Sequence, residues 1–188
     1  MSASLELFAT CPLDLEGLLA DELAELGAAE VRTTRAGVSF TGDLELAYRV
    51  CMWSRLASRI LLLIGEIPAR SPDELYRGVV AIDWTAQLAI SATFVVDVAM
   101  TKSHEVAADL QNAQFAALRV KDGIVDQMRE HWGTRPSVDR DRPDVRVHLH
   151  LRGSVGRVCI DLSGNSLHRR GYRLPGVQAA APLKENLA

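Results

Sequence analysis

The stretch Ile60-Leu61-Leu62-Leu63-Ile64-Gly65-Glu66-Ile67 decides the fold of the first part of the chain. It is short and almost wholly apolar, which is typical of a buried strand. Three strand patterns and two helix patterns precede it, so it is the sixth element of an alternating series. The resulting order, β-α-β-β-α-β, is the ferredoxin-like split arrangement, and it is complete by residue 67.

The elements before this stretch follow from the spacing of apolar residues. Alternation predicts strands at 5–10, 30–34 and 37–41. Asp43 is placed to cap the second helix, because a carboxylate before a helix accepts hydrogen bonds from its free N–H groups. The inner face of that helix is predicted to consist of Leu44, Ala47, Tyr48 and Cys51.

A second α/β unit is predicted after the stretch. Ser71 and Pro72 predict a helix start, with Glu74 completing a capping box. A strand is predicted over 93–100, and a hairpin over 145–162. The longest helix is predicted between them, over 110–132, with an apolar surface made by Phe115, Leu118, Ile124, Val125, Met128 and Trp132.

Composition predicts a cytoplasmic protein without a membrane partner. The longest aliphatic run, Ile60 to Ile64, is far too short to span a bilayer, and the N-terminus does not have the pattern of a signal peptide. The three cysteines are widely spaced and form no C-x-x-C pair, which favours reduced thiols over disulfides or zinc ligands.

Charge is distributed unevenly along the chain. The net charge is −3, yet residues 1–139 carry 12 Lys/Arg against 20 Asp/Glu, while residues 140–173 carry 8 against 3. Such a division indicates one basic surface that meets a polyanion and an acidic body that stays in solution. Chance clustering with local ion pairs is the alternative interpretation.

Catalytic motifs are absent from the sequence. It contains no G-x-S-x-G elbow, no P-loop and no G-x-G-x-x-G, so no catalytic, cofactor-binding or metal-binding residue is predicted in this chain. His148 and His150 share one face of a predicted strand, where a solvated surface is favoured over a metal pair. Whether the chain is an enzyme stays open at this point.

The candidate binding residues are basic. Arg140, Arg142 and Arg146 belong to a run in which aspartates and arginines alternate, and aspartates can orient arginines toward phosphates. A self-paired, solvated charge run is the alternative. Lys121 lies beside apolar residues of the long helix, where it either contacts a phosphate or covers apolar surface with its stem.

Further basic candidates are Lys102 and a later cluster around Gly171 and Tyr172. A basic segment with one aromatic residue can hold RNA by charge and stacking. The alternative is an interdomain linker that packs on another domain. The later cluster consists of Arg169, Arg170 and Arg173.

Several blocks resemble the N-terminal region of bacterial 23S rRNA guanine-N2 methyltransferases of the RlmL or RlmKL type. The resemblance covers nearly the whole chain. The blocks are Leu15 to Leu19, Gly37 to Gly42, Met52 to Arg59, Val120 to Asp126, Val138 to Val147 and Leu162 to Arg173, followed by Ala181 to Ala188.

The resemblance implies an α+β chain in which a ferredoxin-like domain precedes an α/β THUMP domain, an RNA-binding module. We expect the ferredoxin-like domain at 1–68, the THUMP domain at 69–165, and a linker toward a methyltransferase domain at 166–188. In that family the later domain binds S-adenosylmethionine through a Gly-rich loop and holds the target base with Asn-Pro-Pro-Tyr. Neither motif occurs in this sequence.

The resemblance therefore implies a chain that grips 23S rRNA for a downstream methyltransferase domain of the same polypeptide, which would use S-adenosylmethionine. Two alternatives stay open. The module could belong to a tRNA-modifying enzyme, since THUMP domains occur there too. It could also be a ferredoxin-like domain that binds a small ligand or a protein instead of RNA.

Overall fold

The chain folds into two compact units. A computed structural model describes residues 4–101, 106–169 and 184. One unit comprises the chain up to Leu62 together with the segment that follows Asp161, and the other is Leu63–Asp161. The elements are β1 Leu5–Thr10, α1 Glu16–Glu25, β2 Ala29–Thr34, β3 Gly37–Gly42, α2 Leu44–Trp53, β4 Arg59–Pro68, α3 Pro72–Val80, β5 Thr93–Met100, α4 Ala113–Trp132, β6 Ser137–Val138, β7 Val145–Arg152 and β8 Val155–Asp161.

The first unit has the predicted ferredoxin-like arrangement. Its strands lie in the order β2-β3-β1-β4, and β1 pairs antiparallel with both β3 and β4. The order confirms the predicted β-α-β-β-α-β arrangement, in which β4 is the last strand. Apolar side chains from the sheet and both helices fill the core, among them Leu7, Leu19, Leu23, Val38, Phe40, Val50 and Ile60.

The second helix turns a different face inward than predicted. Asp43 caps it as expected, because its Oδ1 accepts a hydrogen bond from the Leu46 N–H at 2.8 Å. The buried residues, however, are Leu46, Ala47 and Val50. The predicted inner residues Leu44 and Tyr48 are exposed, so that part of the prediction was wrong. The helix is rotated so that Leu46, Ala47 and Val50 form its buried face.

The segment after Asp161 returns to the first unit. The Leu162 N–H donates to the Ile60 carbonyl at 2.9 Å, and the Leu167 N–H donates to the Ser58 carbonyl at 2.8 Å. Ser163 accepts a hydrogen bond from the Ile60 N–H through its Oγ at 2.7 Å. The described part of this segment, up to Arg169, is therefore tied to β4 and to the loop before it.

The second unit is a mixed sheet with two main helices. Its strand order is β4-β8-β7-β5-β6, where β7 pairs antiparallel with β8 and parallel with β5. Helix α3 begins as predicted, since Ser71 Oγ accepts from the Glu74 N–H at 3.2 Å. The two-residue strand β6 lies parallel to the start of β5 and was not predicted. No described helix of the chain is long and apolar enough to cross a membrane.

Small residues of α4 face the core, whereas several large ones do not. Gly123 lies so close to α3 that an added Cβ would stand 2.8 Å from Val79 Cγ1. Ile124 and Met128 are buried, as predicted. Three other residues of the predicted apolar surface are exposed, so that part of the prediction was wrong: Phe115, Leu118 and Trp132. The close approach of α3 therefore requires a residue without a Cβ at Gly123, while Ile124 and Met128 fill the core beside it.

The buried carboxylate of Glu22 provides a test of the first unit. It accepts hydrogen bonds from Ser54 Oγ at 2.6 Å and from the Arg55 N–H at 2.9 Å. We expect Glu22→Ala to lower the free energy of unfolding by about 2 to 3 kcal/mol, because buried donors lose their acceptor. Urea denaturation measures the effect. Glu25→Ala removes an exposed carboxylate of the same helix and should change it by less than about 0.5 kcal/mol; equal losses would contradict the assigned role.

Candidate nucleic-acid interface

The loop between β6 and β7 contains the alternating run of aspartates and arginines. Asp139 uses its carboxylate on the loop itself, because Oδ1 accepts from the N–H groups of Asp141 at 2.9 Å and Arg142 at 3.0 Å. These backbone hydrogen bonds, that from Arg142 first, hold the pKa of Asp139 below its usual value. The carboxylate therefore shapes the turn in which Arg140 and Arg142 lie.

The loop is tied to the beginning of β5 at both ends. The Asp139 N–H donates to the Phe94 carbonyl at 3.2 Å. At the other end, Asp144 Oδ2 accepts from the Thr93 N–H and from Thr93 Oγ1, both at 2.8 Å, and the Asp144 N–H donates to Thr93 Oγ1 at 3.1 Å. The Thr93 hydrogen bonds lower the pKa of Asp144. Two aspartates thus act as backbone anchors.

This arrangement leaves the guanidinium groups of the loop available. Arg140 and Arg142 are exposed, and no ion pair engages either of them among the residues that the structure describes. The run is therefore not self-paired there, because the two flanking aspartates bind N–H groups and a hydroxyl instead. An arginine with a free planar fork can bind a phosphate through two parallel hydrogen bonds.

Arg146 is held more tightly than the loop arginines. It lies on β7, and its Nη1 is 2.8 Å from Asp97 Oδ2 on β5. His148 Nε2 lies 3.5 Å from the Oδ2 atom of the buried Asp161 side chain. His150 contacts Thr101 Oγ1 at 3.1 Å, and burial lowers the pKa of its imidazole. This strand face is polar, and the charge of Arg146 is shared with a carboxylate.

The remaining predicted residues are dispersed. Lys121 Nζ on α4 is 2.8 Å from Asp122 Oδ1, so its charge is also shared. Arg169 belongs to the segment that returns to the first unit, and its N–H donates to the Ser166 carbonyl at 2.9 Å. Lys102, Arg170 and Arg173 lie outside the described residues.

One basic residue that precedes the loop, Arg135, was not predicted from the sequence as a binding residue. Arg135 is exposed and lies between α4 and β6, and no ion pair engages it in the described part of the chain. A signal was present, since the Gly133 stop and Pro136 mark a short connection that leads toward the arginine run. Its isolation from other basic residues concealed it.

Metal binding and thiol chemistry find no support in the geometry. Within residues 4–101, 106–169 and 184, no group of three or more His, Cys, Asp or Glu side chains is arranged to hold a metal ion. Burial raises the pKa of Cys11 to about 11 and that of Cys159 to about 12. Both thiols therefore stay protonated near neutral pH and are weak nucleophiles.

Comparison with known families and proteins adds to this geometry. The RlmL ferredoxin-like domain matches residues 6–61, and the THUMP domain matches residues 69–161. The ribosomal RNA large subunit methyltransferase K/L of Syntrophotalea carbinolica is 52% identical over 188 residues, and that of Pseudomonas entomophila is 48% identical over the same length. This chain belongs to the RlmL family through its ferredoxin-like domain and the THUMP domain that follows. It matches the N-terminal region and spans about a quarter of the length of these relatives.

A solved structure of a putative methyltransferase has a similar fold. The crystal structure of SMU.472 in complex with SAH superimposes with a TM-score of 0.82 at 30% sequence identity. The match covers 100% of this chain and 48% of SMU.472. The arginine loop lies within the part of the RlmL-type chain that matches the THUMP domain.

The anchoring role of Asp139 gives a prediction about the loop. Asp139→Ala removes the acceptor, so we expect faster amide hydrogen exchange at Asp141 and Arg142, measured by NMR at pH 7. Asp139→Asn keeps an oxygen acceptor and should have a smaller effect. Asp141→Ala is the control, because the Asp141 carboxylate makes no hydrogen bond within the described residues.

The pH dependence of these amides follows from the lowered pKa of Asp139. A depressed pKa means that the hydrogen bonds are fully present above the ordinary value of 3.8 and are lost as the pH falls through the lower folded value. The amide resonances of Asp141 and Arg142 should therefore stay constant from pH 7 down to about 4 and move only below it. Movement between pH 5 and 7 would contradict the anchoring role.

Proposed function

We propose that this chain is the RNA-binding N-terminal part of an S-adenosylmethionine-dependent 23S rRNA guanine-N2 methyltransferase. It would grip structured rRNA and present a guanine to a downstream catalytic domain of the same polypeptide. The family assignment supports this proposal, and the relatives carry the name ribosomal RNA large subunit methyltransferase K/L.

The available guanidinium groups of Arg140 and Arg142 carry the proposal on the structural side. Their loop is fixed at both ends by aspartate hydrogen bonds, so less conformational entropy is lost when they bind. Contacts of arginine with phosphate position a nucleic acid without reading its sequence. This suits A-form RNA, whose deep major groove hides the base edges from side chains.

The other predicted residues are assigned smaller parts. Arg146 and Lys121 would contribute less than the loop arginines, because each shares its charge with a carboxylate within hydrogen-bond distance. The remaining candidates keep their place in the proposal on the sequence pattern: Lys102, Arg169, Arg170 and Arg173.

The methyl-transfer chemistry is assigned to the longer protein. S-adenosylmethionine is the methyl donor that the family implies, and SMU.472 binds SAH, its demethylated product. The sequence of this chain holds neither a G-x-G-x-x-G loop nor Asn-Pro-Pro-Tyr, so we assign no residue of it to the cofactor or to the target base. We place the protein in the cytoplasm, where rRNA is modified.

The double variant Arg140→Ala/Arg142→Ala tests the proposed grip. We expect it to lower the affinity for a 23S rRNA fragment about 10-fold at moderate salt, since two phosphate contacts are lost. The slope of log K against log salt should become shallower by about 1.5. A filter-binding titration at several salt concentrations measures both quantities.

The matched control is Arg32→Ala/Arg35→Ala, which removes two exposed arginines of the first unit and changes the net charge equally. It should reduce binding much less than the loop variant does. If both double variants lost RNA affinity equally, the loss would come from net charge alone, and the assignment of the binding site to the arginine loop would be wrong. No salt-dependent retention of RNA by the wild-type chain would overturn the function, and stronger competition by tRNA than by the rRNA fragment would favour a tRNA-modifying parent.

A further inference from the structure

Trp132 is a large aromatic side chain without cover at the end of α4. It is the last residue of the helix, and 51% of it is exposed. Gly133 follows in the left-handed conformation, with φ of 70°, and its N–H donates to the Arg129 carbonyl at 2.9 Å. This cap ends the helix at Trp132. The neighbouring His131 ring meets the indole edge-on, with the ring centroids 4.9 Å apart.

The chain that leaves Trp132 leads directly to the arginine loop. Ser137 is the fifth residue after Trp132, so their Cα atoms are at most about 18 Å apart. Ser137 pairs with Thr93, the residue that anchors Asp144 at the end of the loop. The exposed indole and the loop therefore both belong to the end of the second unit where β5 begins.

Charge distinguishes this aromatic surface from the other exposed ones. Trp53, which is 67% exposed, is flanked by Arg49 and Arg55, and both arginines are paired with glutamates. Near Phe115 and Leu118, the basic groups are likewise paired, Arg119 with Asp73 and Lys121 with Asp122.

The surroundings of Trp132 differ in this respect. No ion pair within the described residues engages Arg135, Arg140 or Arg142, which lie in the segments on either side of β6. Glu130 and Asp141 are exposed in the same part of the chain, so the local excess of positive charge is small. A partner that uses this surface must therefore gain from the indole as well as from the arginines.

We propose that Trp132 stacks on an unpaired base of the bound RNA, whose adjoining phosphates are held by Arg135, Arg140 and Arg142. The inference rests on the proposed RNA-binding function and names the part of the RNA that this site takes. An aromatic ring accepts any base, because every base has a π-face, and guanidinium groups beside it track the backbone. Structured rRNA offers such bases in loops and bulges. The site thus selects an unpaired nucleotide without reading its identity.

Trp132→Leu tests the stacking role, since leucine keeps apolar volume and removes the aromatic face. The probes are a 23S rRNA hairpin with an unpaired loop and the same helix as a continuous duplex. We expect Trp132→Leu to weaken binding to the hairpin by about 5- to 100-fold, the range for one stacked base, and to leave the salt slope unchanged. The variant should discriminate little between hairpin and duplex, and Trp132→Phe should restore part of the preference.

Trp53→Leu is the matched control, because it removes an even more exposed tryptophan of the first unit, and it should bind the hairpin like wild type. In the Trp53→Phe background the remaining tryptophans are Trp132 and the fully buried Trp84. Hairpin addition should therefore quench the fluorescence of Trp132.

The outcomes distinguish failure of the stacking role of Trp132 from failure of the proposed RNA-binding function. Unchanged hairpin binding by Trp132→Leu, together with a loss in Arg140→Ala/Arg142→Ala, would overturn the stacking role alone. Failure of the wild-type chain to bind either probe would overturn the stacking role and the proposed function together. A circular-dichroism melt shows that Trp132→Leu is folded, and if it is not, Trp132→Phe and the quenching titration decide.

Discussion

Hydrogen bonds from the aspartate carboxylates to the backbone determine what the arginine loop can do. Asp139 binds two N–H groups within the loop, and Asp144 binds the N–H and hydroxyl of Thr93. Had these carboxylates paired with the neighbouring guanidinium groups, the run would be neutral and solvated. Because they hold the backbone instead, the loop is fixed and the side chains of Arg140 and Arg142 stay available for an anion.

The two units have different structural features. The ferredoxin-like unit is organised by an antiparallel sheet and by the buried Glu22 carboxylate, which satisfies backbone and hydroxyl donors beyond α2. The second unit carries the arginine loop where β5 begins, and β5 pairs there in parallel with β6 and β7. Positioning of the nucleic acid is thus proposed for the end of the sheet where β5 begins.

Element types and their order could be predicted from sequence because periodicity and caps are local. Asp43 and Ser71 cap their helices as predicted, and the β-α-β-β-α-β order follows from the apolar spacing. The inward faces of helices were less predictable. In α2 nearly every position is apolar, so two overlapping stripes satisfy the helical period, and packing chose the one with Ala47 and Val50. In α4 the close approach of α3 at Gly123 could not be seen in the sequence.

The candidate site was predictable in composition but not in pairing. The sequence pattern singled out Arg140, Arg142 and Arg146 alike. The first two make no ion pair among the described residues, whereas the third is paired with Asp97 across a parallel strand pair. That difference depends on which strands become neighbours. Arg135 and Trp132 were not selected because β6, the two-residue strand that brings them toward the loop, is too short to leave a pattern.

The most direct measurement is an NMR titration of the arginine side-chain Nε–H resonances with a 23S rRNA fragment. We predict that the resonances of Arg140 and Arg142 shift and broaden as RNA is added. Those of Arg49 and Arg129 should stay in place, because both side chains are paired with acidic residues of their own helices. RNA binding that moves Arg49 or Arg129 and leaves Arg140 and Arg142 unchanged would contradict this prediction.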